Sequence, residues 1–207
     1  GQGAYFNPAF IEMDGSRKRY AGHCNDLVMD FGLKWMTEER HKDKPFVAMI
    51  QFKAPHRNWS AAERHLNLFK GVTMPEPETL FDDYANRSKV LAEHAMGIDK
   101  HMYWGHDMKF NGPNLFPDHF SSGIVNRQYQ RMNEAQKKAW DAVYEPENQK
   151  FIADMKAGKL SKKDIVRWKY QRYIKDYLKS IASVDEGVGR VLKHLDESGL
   201  AKNTIVI

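Results

Sequence analysis

The chain has 207 residues, 42% of them hydrophobic and 29% charged, with a net charge of +5 and a pI near 9.1. That balance excludes an intrinsically disordered chain and suits one sizeable core or a large piece of a bigger domain. A single cysteine, Cys24, excludes an internal disulfide, and no run is long or apolar enough to cross a bilayer. The surplus positive charge suits an anionic partner: nucleic acid, sulfated sugar or acidic membrane. The basic residues are spread out, with a mild excess at 150–179, and form no compact block, zinc motif or RNP-like motif, so nucleic-acid binding is not expected.

The start, GQGAYFNPAF, has no charged leader and no apolar leader. The first residue is not Met, and the last four, TIVI, read as the first half of a buried strand. The chain is therefore expected to be an internal piece of a longer protein. Residues 1–20 predict short extended pieces around a turn at Asp14-Gly15. In CNDLVMDFGLKWMTEE, the spacing of Leu27, Val28, Phe31, Trp35 and Met36 predicts an amphipathic helix, capped by Asn25 or Asp26. KPFVAMIQF then predicts a buried central strand, and the polar loop KAPHRNW follows it at once.

AAERHLNLF reads as a short helix and MPEPETLF as an extended connection. The stretch 84–160 reads as an insertion on the core, with helices at YANRSKVLAEHAMGI and NEAQKKAWDAVY and a loop at KFNGPNLFPDHFSSG between them. From Ser161 the apolar spacing predicts a helix of about eight turns, opened by a capping-box-like SKKD. Gly187 and Gly189 mark a kink or a close-packing point, Gly199 the stop, and NTIVI a further strand. Helix, short turn, strand is the grammar of an α/β fold.

Of the segments that could carry chemistry, KAPH stands first. Pro55 fixes its own φ and biases Ala54 towards an extended shape, so Lys53 and His56 are held on a stiff turn at a strand end. Lys53 offers a compact cation, His56 a hydrogen bond or a proton, and Arg57 and Asn58 further donors. That equipment suits a tetrahedral oxyanion ester; the plainer reading is a solvated basic loop. His94, His101, His106 and His119 lie near Asp99, Asp107 and Asp118, without the spacing of a metal motif, and read as loop histidines. Asp82 and Asp83 read as turn or cap residues, Cys24 as a small, partly buried side chain, and Tyr170, Tyr173 and Tyr177 as core packing.

Four segments together, YFNPAFIEMDG, DKPFVAMIQFKAPHRNW, LFDDYANR and YQRYIKDYLKSIASVDEGVGRVLKHLDESGLAKNTIVI, resemble the type I sulfatases, nearest to bacterial enzymes acting on sulfated polysaccharides and glycosaminoglycans. The resemblance covers most of the chain and is weakest at about 95–155. It implies an α/β, alkaline-phosphatase-like sulfatase core, a mixed sheet flanked by helices, of which residues 1–207 form the central part. It also implies hydrolysis of sulfate esters by a formylglycine made from a Cys/Ser-x-Pro-x-Arg motif, with a Ca2+ ion polarising the sulfate, and an exported, periplasmic or secreted enzyme. Pro55-His56 matches the family's Pro-His after the central strand. His56 would then contact the sulfate or protonate the leaving oxygen, with Lys53 in the same turn and Arg57, Asn58 and Trp59 facing the sugar.

The nucleophile motif does not occur here, and Cys24, followed by Asn25, Asp26, Leu27 and Val28, is not part of one. The formylglycine is expected before Gly1 and the metal ligands outside this chain, so the fragment alone is expected to be inactive. A phosphoester or phosphonate hydrolase of the same superfamily is the alternative enzyme, and a sulfated-glycan-binding protein without catalysis the alternative of another class.

Overall fold

A tight turn opens the described chain. Asp14 accepts a hydrogen bond from the Ser16 amide (2.8 Å) and Gly15 takes φ 83°, so β1 (Ala9–Ile11) folds back antiparallel on β2 (Arg17–Arg19), with Ala9 opposite Arg19. The structure is a computed structural model and describes residues 3–111 and 126–207. The expected loop around Asn114 and the predicted roles of Asp118 and His119 lie outside the described residues.

Helix α1 (Cys24–Lys34) starts a residue earlier than its expected cap and continues as a π-helical turn at Trp35–Glu39. Neither Asn25 nor Asp26 caps it, because both side chains are engaged elsewhere: Asn25 on Ser183 and Asp26 on Arg64. AAERHLNLF forms only a 3-10 turn at Glu63–His65. The helix expected from Tyr84 is reduced to α2 (Lys89–Ala92) and α3 (Ile98–His101). Asp82 and Asp83 capture the amides of Tyr84 (2.9 Å) and Ala85 (2.7 Å), and Tyr84 and Asn86 have positive φ, so no helix can begin before Ser88.

Helix α4 (Glu134–Lys156) opens with a capping box between Asn133 and Gln136 and runs through Pro146, past its expected end near Tyr144. Its buried stripe of Gln136, Trp140, Tyr144, Asn148 and Phe151 continues on both sides of the proline, and that burial outweighs a cost of about 3 kcal/mol. Helix α5 (Lys162–Glu197) starts at the Ser161–Asp164 box, the serine amide donating to the carboxylate (3.0 Å) and the Asp164 amide to the hydroxyl (3.2 Å). It runs unbroken past Gly187, which is a packing point: a Cβ there would sit 2.9 Å from Met29 Cε. Gly199, at φ 72°, ends the helix region and leads into a 3-10 turn at Leu200–Asn203. Among the described residues no helix is long and apolar enough to cross a membrane.

The chain divides into two units. The first comprises Gly1–His65 and Leu178–Ile207. In it the Arg64 guanidinium forks onto Asp26 (2.8 and 2.7 Å) and reaches Glu186 (2.8 Å), and Arg190 pairs with Asp30 (2.6 Å). Residues 45–53 are a correction to the expected central strand. Phe46, Ile50 and Phe52 turn inward, with Ile50 against Gly32 and Phe52 against Gly187, but among the described residues no strand pairs with the segment. Val47 and Met49 therefore stay 87% and 81% exposed. In the second expected strand, 204–207, Thr204 bonds back to Leu200 and Ala201, while Ile205, Val206 and Ile207 are exposed and, among the described residues, no strand pairs with them. Both segments line a groove of about 1060 Å³ with Met29, Met36, Val191 and Leu195.

The second unit is Leu66–Tyr177, within which the stretch 84–160 falls. Phe151 stacks on Trp168 (4.2 Å between centroids), with Trp104 and Phe110 around them, and Trp140 packs on Tyr144 (4.5 Å). Charges are buried in the same core. Asp176 lies 3.8 Å from the Lys109 ammonium and accepts from the Tyr144 hydroxyl (2.8 Å). Arg172 sits over the rings of Tyr144 and Trp168 and donates to the Met108 carbonyl (3.0 Å). Lys169 donates to the Asp99 carbonyl (2.8 Å) over the Trp104 ring, and burial brings its pKa down to about 8. The proline-rich connection is held by Tyr170, whose hydroxyl donates to the Pro75 carbonyl (2.7 Å), and by Gln171, which pairs with both backbone groups of Met74.

Candidate functional site

The loop after residue 52 closes as a turn, with the His56 amide donating to the Lys53 carbonyl (3.0 Å) and the Trp59 amide to the His56 carbonyl (3.3 Å). The Ala54–Pro55 and Arg57–Asn58 peptide bonds are cis. Pro55 and His56 are exposed, while Lys53 and Arg57 are half-buried. Asn58, only 1% exposed, lies inside the turn, where its side-chain oxygen accepts from the Ser60 hydroxyl (3.0 Å), and Trp59 is buried beside it. Lys53, His56 and Arg57 thus share the accessible part of one short turn, and Asn58 supports that turn from within.

The imidazole of His56 is oriented by its neighbour. Its Nδ1 makes a short contact with the Arg57 carbonyl oxygen, which can only accept, so Nδ1 carries the hydrogen. Nε2 is then the ring nitrogen left to exchange a proton. The Lys53 ammonium lies 5.0 Å from the centre of the Tyr5 ring, a cation–π contact. Burial lowers the Lys53 pKa and nearby Cys24 opposes that shift; burial raises the Cys24 thiol in turn. Cys24 is accordingly a buried, protonated thiol rather than a nucleophile.

Beneath the turn lies a layer of buried side chains that local sequence patterns do not reveal. The Tyr5 hydroxyl donates to the His56 carbonyl (2.6 Å). Burial pushes that phenol well above its ordinary range, Cys24 adds to the effect, and a hydrogen bond from Ser180 partly offsets it. The Ala54 amide donates to Asn25 Oδ1 (3.4 Å), and Asn25 Nδ2 donates to Ser183 (2.8 Å). The other leg is held by His23, whose Nε2 donates to the Ser60 carbonyl (3.0 Å); burial keeps this imidazole below the usual pKa, hence neutral. These partners lie 51, 29 and 37 residues from the backbone groups they hold. Asn25 read as a helix cap, and Tyr5 was visible only as part of YFNPAF.

His94 and His101 of the second unit have local roles. His94 bonds Tyr84 (2.8 Å) and accepts from the Met96 amide, while His101 accepts from the Gly97 amide. Buried Asp107 accepts from the Tyr103 amide (2.7 Å). Among the described residues no three His, Cys, Asp or Glu side chains are arranged to hold a metal ion. With the formylglycine motif also missing from the sequence, the described residues do not fit either group.

The sulfatase family model matches residues 3–207. The chain is 37% identical, over its whole length, to an N-acetylglucosamine-6-O-sulfatase of Bacteroides thetaiotaomicron, of which it covers 36%. It also superposes with a TM-score of 0.81 and 36% identity on a solved structure of a protein in complex with its substrate D-glucosamine-2-N,6-O-disulfate. That match covers 96% of this chain and 39% of the other. The chain thus spans little more than a third of the length of either relative.

Proposed function

The chain belongs to the sulfatase family and carries part of its α/β, alkaline-phosphatase-like fold, and we propose that the whole protein is a sulfuric ester hydrolase acting on a sulfated carbohydrate. The observation that carries this reading is the identity of 37% along the entire chain with a named sugar sulfatase. The preferred substrate is a glucosamine bearing a 6-O-sulfate, a choice supported by the names of both relatives. A sulfated sugar chain does not cross a bilayer unaided, which favours a periplasmic or secreted enzyme.

On this reading the exposed turn faces the scissile ester. The half-buried Lys53 ammonium and the Arg57 guanidinium balance the sulfate charge, where charge-assisted bonds are strongest. Hydrolysis breaks a sulfur–oxygen bond, and the departing sugar oxygen takes a proton. As the imidazolium, with Nδ1–H fixed on the Arg57 carbonyl, His56 supplies that proton from Nε2 and is left as the neutral Nδ1–H ring. Asn58 acts by shaping the turn. Formylglycine and Ca2+, supplied from outside this chain, belong to the family's chemistry.

The test uses the full-length protein and glucosamine 6-O-sulfate. His56→Ala should lower turnover by about a hundredfold or more, whereas a loss under about threefold would sink the assignment. The matching 6-phosphate, assayed beside it, should be turned over far more slowly; the reverse preference would make the protein a phosphoester hydrolase.

A further inference from the structure

The turn that carries Lys53 and His56 has two backbone groups near its apex that point inward, the Ala54 amide and the His56 carbonyl. Each meets a different buried side chain, Asn25 for the amide and Tyr5 for the carbonyl. Those two side chains come from separate parts of the chain, yet they are fixed by one surface. Asn25 donates to the hydroxyl of Ser183, and Tyr5 accepts from the hydroxyl of Ser180. Ser180 and Ser183 stand three residues apart on one face of α5, and the Ser183 hydroxyl donates back to the Ser180 carbonyl (3.0 Å). Both serines are buried, as are Tyr5 and Asn25.

We propose that Tyr5 and Asn25 are positioning residues, which hold the Lys53–His56 turn at a height and tilt set by the Ser180–Ser183 face of α5. Tyr5 acts twice. Its hydroxyl fixes the His56 carbonyl, and hence the imidazole attached to the same residue; its ring supports the Lys53 ammonium from below. The inference rests on the sulfatase reading of the turn. Its physical basis is general: a reacting group displaced by about 1 Å can lose about a hundredfold in rate.

Tyr5→Phe and Tyr5→Leu in the full-length protein separate the two actions. The first keeps the ring and removes the bond to His56, so kcat on glucosamine 6-O-sulfate should fall by about tenfold to a hundredfold, with KM changed by less than about threefold. The second also removes the ring under Lys53, so KM should rise further. The deciding measurement repeats Tyr5→Phe in a His56→Ala background. A residue acting through His56 should cost no more than about twofold there. An equal loss in both backgrounds, or no loss in the first, overturns the proposal. If His56→Ala itself leaves turnover intact, the sulfatase role of the turn fails, and the inference with it. Should Tyr5→Phe lower the thermal midpoint by more than about 5 °C, Ser180→Ala, which removes only the hydroxyl donated to Tyr5, is read in its place by the same cycle.

Discussion

The two units bury polar groups for different ends. In the first, three buried side chains reach the backbone of one surface loop: Tyr5 donates to the His56 carbonyl, Asn25 accepts from the Ala54 amide and His23 donates to the Ser60 carbonyl. In the second, the buried charges sit inside an aromatic core, and Lys109, Asp176, Tyr144 and Arg172 bond one another or the adjoining backbone. The first arrangement aims a surface loop; the second knits an interior. A buried polar group is therefore informative about function only once the group at the other end of its bond is known.

The sharpest way to break that contrast is to cut the second unit where it is most apolar. Phe151→Ala removes a ring stacked on Trp168 and should cost about 3–5 kcal/mol in denaturant unfolding of the full-length protein, with kcat per folded molecule unchanged. A kcat that falls in proportion would show that this core also sets the chemistry. Asp176→Ala should follow at about 3 kcal/mol, since it leaves the Lys109 ammonium without the carboxylate beside it. A cost below about 1 kcal/mol would mean that the pair contributes little to the core.

The smallest effect is a pH slope, and it belongs to the first unit. Burial lowers the pKa of His23, so the unfolded chain takes up a proton that the folded chain resists. Stability from this site is complete above the ordinary histidine pKa of about 6.5 and is lost as pH falls below it, towards the depressed folded value. His65 is lowered too, by burial and then by Arg64, and acts in the same direction. The thermal midpoint should therefore drop between about pH 7.5 and about pH 5.5, and His23→Gln, which keeps a donor for the Ser60 carbonyl, should flatten that drop. An unchanged slope in the variant would remove His23 from the account.

The starts of the long helices, and the stop of α5, were legible in the sequence because their signals are local, while the run of α4 beyond Tyr144 through Pro146 was not. The Ser161–Asp164 box, the Asn133-Glu134 start of α4 and the left-handed stop at Gly199 each lie within a few residues of the feature they cause. Residues 45–53 and 204–207 were not legible as they stand. Their composition is that of strands, but a strand is made by its neighbours, and no described strand pairs with either segment. The turn was readable at Lys53, Pro55 and His56. Its supports were not, since they come from distant parts of the chain and their residue types have plainer local uses. The burial of Asn58 was hidden for the same reason: an amide in a polar loop reads as exposed until the loop is seen from within.

The bond from Asn25 to Ser183 joins residues 158 positions apart, and the second unit lies wholly between them. A chain made from its N-terminus releases residues 66–177 after the turn at 53–57 and before Ser180 and Ser183, so the turn gains those two supports only once the second unit has emerged. Closing so long a loop costs little more than closing a short one, so the delay is one of order rather than of stability. On the ribosome, the turn at 53–57 leaves the tunnel well before Ser180 and Ser183, so a loop encoded early takes its final support from a helix encoded more than a hundred residues later.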